Sequence, residues 1–168
     1  MSKPENLQDL YIDELKDLWS ANDQMHRCLK KISSKASDPG LKTMLEKSLT
    51  GIDEHTGMLK ELIASNGEKV SKEHCKGMEG LAAEAIKHTT EEAPEKGPVL
   101  DAQIIAQYQR MSHYGIAGFG TVAAYAKELG LKDDFKKLNA LTKDVYGADE
   151  YMSQLAKTLN AAAKSDSK

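Results

Sequence analysis

The chain has 168 residues, of which 40% are hydrophobic and 29% are charged, a composition typical of a single globular domain. Its 23 basic and 26 acidic residues give a net charge of -3 and are interleaved, so no basic face is available to a nucleic acid. The sequence shows neither a signal-peptide pattern nor a run of about 18 apolar residues, and we therefore expect a cytoplasmic protein without a membrane partner.

The first two predicted elements are long amphipathic helices joined by a short turn. Helix A is predicted over about residues 4–35 and helix B from residue 39 to the SNG sequence at 65–67. The turn SDPG provides Asp38 as the N-cap and Pro39 as the first residue of helix B. Spacings of three and four define an apolar stripe on each helix, comprising Tyr11, Leu15, Leu18, Asn22, Met25, Leu29 and Ile32 on A, and Leu41, Leu45, Ser48, Ile52, His55, Leu59 and Leu62 on B.

A connection of about 30 residues, from 68 to 100, follows helix B and contains one short amphipathic helix around residues 78–86. Helix C is predicted from Asp101 to about Leu129, and Gly130 marks its end. Its stripe comprises Ile104, Tyr108, Met111, Gly115, Gly118 or Phe119, Val122 and Ala126. Three glycines in the sequence SHYGIAGFG are costly inside a helix, at roughly 0.5–1 kcal/mol each. We expect Gly115 to face the bundle interior, and Gly118 and Gly120 to let a neighbouring helix approach closely.

Helix D is predicted over about residues 132–162, with a stripe of Leu138, Leu141, Val145, Ala148, Met152, Leu155 and Leu159. No strand pattern occurs. The predicted fold is therefore all-α: a ferritin-like four-helix bundle of antiparallel A/B and C/D hairpins with a long B–C crossover. A single domain is expected over residues 1–163, followed by a polar tail at 164–168. The main structural alternative is a coiled-coil dimer of hairpins.

The two cysteines, Cys28 and Cys75, lie far apart in the sequence and outside any CxxC spacing. This arrangement favours reduced, partly buried thiols over a disulfide framework or a zinc site. Neither cysteine has a histidine at helical spacing to activate it, and the adjacent Ser112 and His113 diverge on a helix, so the sequence gives no indication of hydrolase chemistry.

Four segments resemble the YciE/YciF family of ferritin-like bacterial proteins: LYIDELKDLWSANDQM, CKGMEGLAAEA, DAQIIAQYQRMSHYGIAGFGT and KELGLKDDFKKLNAL. The resemblance covers nearly the whole chain. It implies a cytosolic four-helix bundle that forms a homodimer and is associated with stress responses. Better-known members retain a dimetal carboxylate site inside the bundle.

Carried onto this sequence, the resemblance identifies six positions that correspond to the family's metal site. We call them the inner-layer positions: Asn22, Gly51, His55, Ser112, Gly115 and Val145. None is a carboxylate, although a dimetal site needs a carboxylate from each helix. We therefore expect a degenerate site, no metal cofactor, and a non-catalytic structural or interaction protein. The sequence does not identify its protein partner.

Two alternatives remain open from the sequence. The first is an iron or manganese oxidase, peroxidase or catalase-like enzyme with a displaced ligand set of Asp53, His55, His113, Asp144 and Asp149. The second is a single-metal or small-ligand pocket in the hollow left by the missing side chains. For His55 itself, the simplest interpretation is a neutral core histidine with a hydrogen-bonded neighbour.

Overall fold

The computed structural model describes residues 3–70 and 74–165, and these residues form five α-helices and no strand. The helices are α1 (Leu7–Ile32), α2 (Pro39–Ser65), α3 (Lys76–Ile86), α4 (Pro98–Glu128) and α5 (Lys132–Ser165). A 3-10 turn at Ser33–Lys35 follows α1, and a π-helical turn at Lys87–Glu91 extends α3. Helices α1, α2, α4 and α5 correspond to predicted helices A, B, C and D, and α3 is the short helix expected in the crossover.

Two helix starts differ from their predicted positions, for local reasons. Helix α1 begins at Leu7 rather than near residue 4 because Asn6 is extended, with φ -152° and ψ 175°, and its side chain accepts a hydrogen bond from Asp9 N. Helix α4 begins at Pro98 rather than at Asp101, since proline fits the first helical position. The predicted cap of α2 is confirmed, with Leu41 N donating to Asp38 Oδ1 at 2.8 Å.

The carboxyl ends of α4 and α5 also show the effect of local sequence. Gly130 has a φ of +74°, the left-handed conformation expected of a glycine that ends a helix. Helix α5 runs to Ser165 and so includes two residues that the sequence assigns to the polar tail. The remaining tail residues, 166–168, lie outside the described part of the chain.

The bundle consists of two antiparallel hairpins, α1–α2 and α4–α5, as the sequence predicts. Helices α1 and α4 pack closely on each other, whereas α2 and α5 make far fewer contacts across the opposite seam. The coiled-coil alternative is therefore wrong, because a single chain completes the bundle. No helix in the described ranges is long and apolar enough to cross a membrane.

The buried side chains form two clusters, one toward each end of the bundle. One cluster includes Met25, Ile52, Tyr108, Met111 and Met152. The other includes Leu18, Leu59, Phe119, Val122 and Leu141. Most of the inner-layer positions lie between the two clusters, at the level of the bundle where each helix stripe passes from one cluster to the other.

Cys75 makes several polar contacts that attach the start of α3 to the bundle. Its backbone N–H donates to Ser20 Oγ at 3.0 Å, and its carbonyl oxygen accepts from Gln24 Nε2 at 3.0 Å. Its thiol lies 3.0 Å from Tyr114 Oη, which in turn donates to Asp17 Oδ2 at 2.7 Å. The predicted free thiols are confirmed, since Cys28 and Cys75 are both unpaired, and both are buried.

Candidate functional site

A cavity of about 450 Å³ lies between α1, α2, α4 and α5. All six inner-layer positions line it. The other lining residues are Met25, Thr43, Met44, Lys47, Ser48, Ile52, Glu54, Tyr108, Phe119, Asp144, Gly147, Ala148 and Tyr151. The cavity occupies the seam where α2 and α5 make few contacts, so the weak packing there and the hollow are the same feature.

Charge is confined to the exposed part of the cavity lining. Lys47, Glu54 and Asp144 are exposed, and they are the charged residues among those that line it. The buried lining residues are uncharged and combine apolar with polar side chains: Asn22, Met25, Ser48, Ile52, Tyr108, Ser112, Gly115 and Phe119. The inner wall therefore offers hydrophobic contact and a few neutral polar groups, the usual composition of a small-molecule site.

His55 is held at the cavity wall by Phe119 and Asp144. The imidazole meets the Phe119 ring edge-on, with centroids 5.8 Å apart and an interplanar angle of 77°. Its Nε2 lies 3.7 Å from Asp144 Oδ2, while the His55 side chain is 12% exposed and that of Asp144 is 68% exposed. Burial lowers the pKa of His55 by more than the Asp144 carboxylate raises it. His55 is therefore a neutral imidazole at pH 7, with one donor and one acceptor nitrogen.

Asn22 presents an unpaired amide in the same layer. The residue is 6% exposed, and its Nδ2 is buried without a hydrogen-bond partner among the described residues. Leaving a buried donor unpaired costs about 1–3 kcal/mol, and buried polar groups are for this reason almost always paired. The protein carries this cost at a residue that lines an open volume.

The buried hydroxyl groups of the wall are paired within the protein instead. Tyr108 Oη and Ser48 Oγ lie 3.0 Å apart, and Ser112 Oγ donates to the Tyr108 carbonyl oxygen at 3.0 Å. Burial raises the pKa of Tyr108, although the hydrogen bonds from Ser48 and Ser112 act in the opposite direction. Sequence reasoning placed Ser48 and Tyr108 on apolar stripes but did not identify them as site residues. The available signal was a polar side chain on an otherwise apolar stripe.

The glycines of α2 and α4 differ in the space around them. A Cβ at Gly51 would meet nothing within 4 Å, and one at Gly115 would touch Phe119 at 3.8 Å, an ordinary contact. Gly115 is buried beside the cavity, as its place on the stripe predicts. A Cβ at Gly118 would instead lie 2.4 Å from Leu18 Cδ2, so close approach of α1 explains this glycine. The same expectation for Gly120 is wrong, because a Cβ there meets nothing within 4 Å.

The displaced ligand set of the enzyme alternative is not assembled. Asp53 Oδ2 lies 3.4 Å from His26 Nε2, and the Asp53 side chain is 68% exposed. His113 Nε2 pairs with Asp149 Oδ2 at 3.1 Å, and neither residue lines the cavity. Only His55 and Asp144 of that set line the cavity, and in the described ranges no three His, Cys, Asp or Glu side chains come together in a way that could hold a metal ion.

The donor set of the cavity does not fit a dimetal carboxylate centre. The buried wall offers an amide, hydroxyl groups and, at its edge, one neutral imidazole, while the carboxylates of Glu54 and Asp144 are exposed. Two divalent or trivalent cations need several carboxylates that share bridging positions inside the bundle.

Comparison with known proteins places these features in a family. A family model described as a domain of unknown function, DUF892, matches residues 6–164. Protein YciF of Escherichia coli (strain K12) is 30% identical over 151 residues, which cover 89% of this chain and 90% of that protein. The crystal structure of the E. coli stress protein YciF superimposes with a TM-score of 0.87 at 29% identity, covering 94% of this chain and 99% of that one.

Two further solved structures are similar. YcfI from Rhodopseudomonas palustris, described as "a putative structural protein", has a TM-score of 0.84 at 29% identity, with 91% of this chain and 97% of that chain covered. A ferritin-like, diiron-carboxylate protein from Bacillus anthracis has a TM-score of 0.71 at 13% identity, with 91% and 99% covered. The similarity to the Bacillus anthracis protein shows the fold alone, and it confirms the predicted ferritin-like bundle.

Proposed function

The chain belongs to the DUF892 family, and we propose that it is a metal-free ferritin-like bundle acting as a structural or interaction protein in the response to stress. The stress association rests on the likeness to YciF, a stress protein of E. coli. The metal-free, non-catalytic character rests on the cavity of this chain.

The observation that carries the proposal is the chemistry of the six inner-layer positions. They provide two glycines, one valine, one serine, one asparagine and one histidine, with a summed formal charge of zero. Moving two metal ions into a bundle core requires negative charge to offset their desolvation. Neutral oxygen and nitrogen atoms offset too little of it, so metal loading at this layer is unfavourable.

Metal analysis tests the proposal directly. The protein is purified from cells grown with added iron and manganese, and metal is measured by mass spectrometry against protein concentration. The diiron-carboxylate protein of Bacillus anthracis, expressed and purified in the same way, serves as the positive control for loading. We expect far less than one metal ion per chain here. Two ions per chain that disappear in the variant His55→Phe would refute the proposal and support a dimetal oxidase, peroxidase or catalase-like enzyme.

We also propose that the chain forms a homodimer and has neither a nucleic-acid nor a membrane partner. The dimer is implied by the resemblance to its family, and the net charge of -3 disfavours binding to nucleic acid. Light scattering coupled to gel filtration measures the mass in solution. A mass equal to the single chain's 18.4 kDa at micromolar concentration would contradict the dimer.

A cytoplasmic location is the remaining part of the proposal. It is supported by the free, buried thiols of Cys28 and Cys75, because a reducing compartment keeps cysteines unpaired. Cell fractionation with the native, untagged protein tests it. Recovery in the periplasmic or membrane fraction would contradict it.

A further inference from the structure

The cavity is large enough for an organic molecule rather than for a few waters alone. A cavity of about 150 Å³ with an apolar wall accommodates benzene. The volume here, about 450 Å³, is three times larger and lies within the range of small-molecule sites. A ligand of two rings, with roughly 10–20 non-hydrogen atoms, suits this volume.

The wall chemistry favours an uncharged ligand. Every charged lining residue is exposed, and the two carboxylates there are opposed by only one lysine. The deeper wall consists of Met25, Ile52 and Phe119 together with neutral polar groups. An ion would lose its hydration at this wall without gaining a partner of opposite charge, whereas an apolar body gains by leaving water.

One buried polar atom of the wall has no partner among the described residues and is available for recognition. The hydroxyl groups of Ser48, Tyr108 and Ser112 already have partners within the protein. The Nδ2 of Asn22 has none among the described residues, although it is buried. A hydrogen-bond acceptor brought to Asn22 would remove the cost of that unpaired donor.

We propose that the cavity is a binding site for a small, uncharged, mostly apolar molecule that carries a carbonyl or similar acceptor and receives a hydrogen bond from Asn22. This inference rests on the proposed function in one respect, since it requires a cavity without metal. It assigns the inner layer a ligand class that differs from metal ions in charge, size and binding chemistry.

A matched pair of probes tests the two parts of the inference. Benzophenone has two rings and one carbonyl acceptor, and diphenylmethane has the same frame without the acceptor. Binding of each to the metal-analysed protein is followed by calorimetry and by the side-chain amide signals of Asn22 in nitrogen-15 NMR spectra. We expect both probes to bind and the ketone to bind about 3- to 10-fold more tightly, the ordinary contribution of one hydrogen bond.

Three variants localise the binding. Asn22→Leu removes the donor at similar volume, so we expect the two probes to bind it equally. Gly51→Leu fills the cavity from α2, where a Cβ meets nothing within 4 Å, and we expect it to bind neither probe. Gly57→Leu is the matched control, because Gly57 lies on the same helix, is exposed, and also has nothing within 4 Å. We expect Gly57→Leu to bind both probes with the same affinity as the unaltered protein.

The outcomes separate this inference from the proposed function. Failure of metal-free protein to bind either probe, or unchanged binding in Gly51→Leu, would overturn the inference and leave the proposed function intact. A ketone preference that survives in Asn22→Leu would overturn the role given to that amide. Two metal ions per chain would overturn the proposed function and, with it, the requirement on which the inference depends.

Discussion

Replacing Gly118 by alanine should destabilise the protein, although alanine is the better helix former. Gly118 lies within α4, where alanine gains roughly 0.5–1 kcal/mol over glycine. A Cβ there would lie 2.4 Å from Leu18 Cδ2 and 3.1 Å from Leu18 Cγ. Leu18 is 1% exposed, so its side chain is enclosed by other residues and can move aside only by repacking against them. Overpacking of this kind costs about 1–3 kcal/mol.

Gly120 provides the matched control two residues further along the same helix. A Cβ at Gly120 meets nothing within 4 Å, so Gly120→Ala keeps the full gain in helix propensity. The two variants should therefore differ by about 1–3 kcal/mol in free energy of unfolding, with Gly118→Ala the less stable. For a chain of this size that corresponds to a difference of roughly 2–12 °C in Tm.

Urea denaturation followed by circular dichroism measures both variants, and calorimetry gives their Tm values. The double variant Leu18→Ala/Gly118→Ala tests the cause, because truncating Leu18 removes the atoms that a new Cβ would meet. In that background Gly118→Ala should become stabilising. If Gly118→Ala and Gly120→Ala are equally stabilising in the unaltered chain, the contact between α1 and α4 does not limit this position and the reasoning fails.

Three further predictions concern buried polar groups. Burial lowers the pKa of His55 below its ordinary 6.5, so the unfolded chain binds a proton more readily than the folded chain does. The free energy of unfolding should therefore fall as the pH drops through about 6.5. Urea titrations at several pH values should show a smaller decrease in His55→Gln than in the unaltered protein. Asn22→Leu removes an unpaired donor and should raise the free energy of unfolding by about 1–3 kcal/mol. Asp101→Asn should lower it by about 1.5–3 kcal/mol, because the buried carboxylate accepts from Ser37 N and Asp38 N at 2.7 and 2.9 Å.

Each of these predictions has an outcome that contradicts it. A pH dependence in His55→Gln identical to that of the unaltered protein would show that His55 does not contribute to it. A destabilised Asn22→Leu would mean that the amide has a partner in solution. For Asp101, the control is Asp133→Asn, since Asp133 is exposed. If the two aspartate substitutions change the free energy of unfolding equally, the buried carboxylate of Asp101 contributes no more to stability than an exposed one.

The fold was predictable from the sequence because its main signals are periodic and local. Apolar spacing of three and four residues identified the long helices, and the SDPG turn located the start of α2. The errors lie at helix ends, where a single backbone conformation decides the boundary. Asn6 is the clearest case, because its side chain caps α1 only when its own backbone is extended.

The sequence predicted which residues form the candidate site but not the shape of the cavity that they line. Four of the six inner-layer positions lie on the predicted stripes, the family resemblance supplied Gly51 and Ser112, and all six line the same cavity. Their descent from a metal site stays a prediction. The cavity's volume depends on how far α2 and α5 separate, which is set by packing across the whole bundle and not by any local pattern. The pairing of Ser48 with Tyr108 and the unpaired amide of Asn22 likewise follow from three-dimensional contacts.

The close contact of Gly118 with Leu18 and the hollow between α2 and α5 lie on opposite sides of the bundle. The seam between α1 and α4 is therefore closely packed, and the seam between α2 and α5 is loosely packed. A molecule that enters the cavity lies at the loosely packed seam. Tyr151 belongs to both the cavity lining and the outer surface, where it is 48% exposed. A molecule bound in the cavity would therefore contact a residue that also forms part of the outer surface of the bundle.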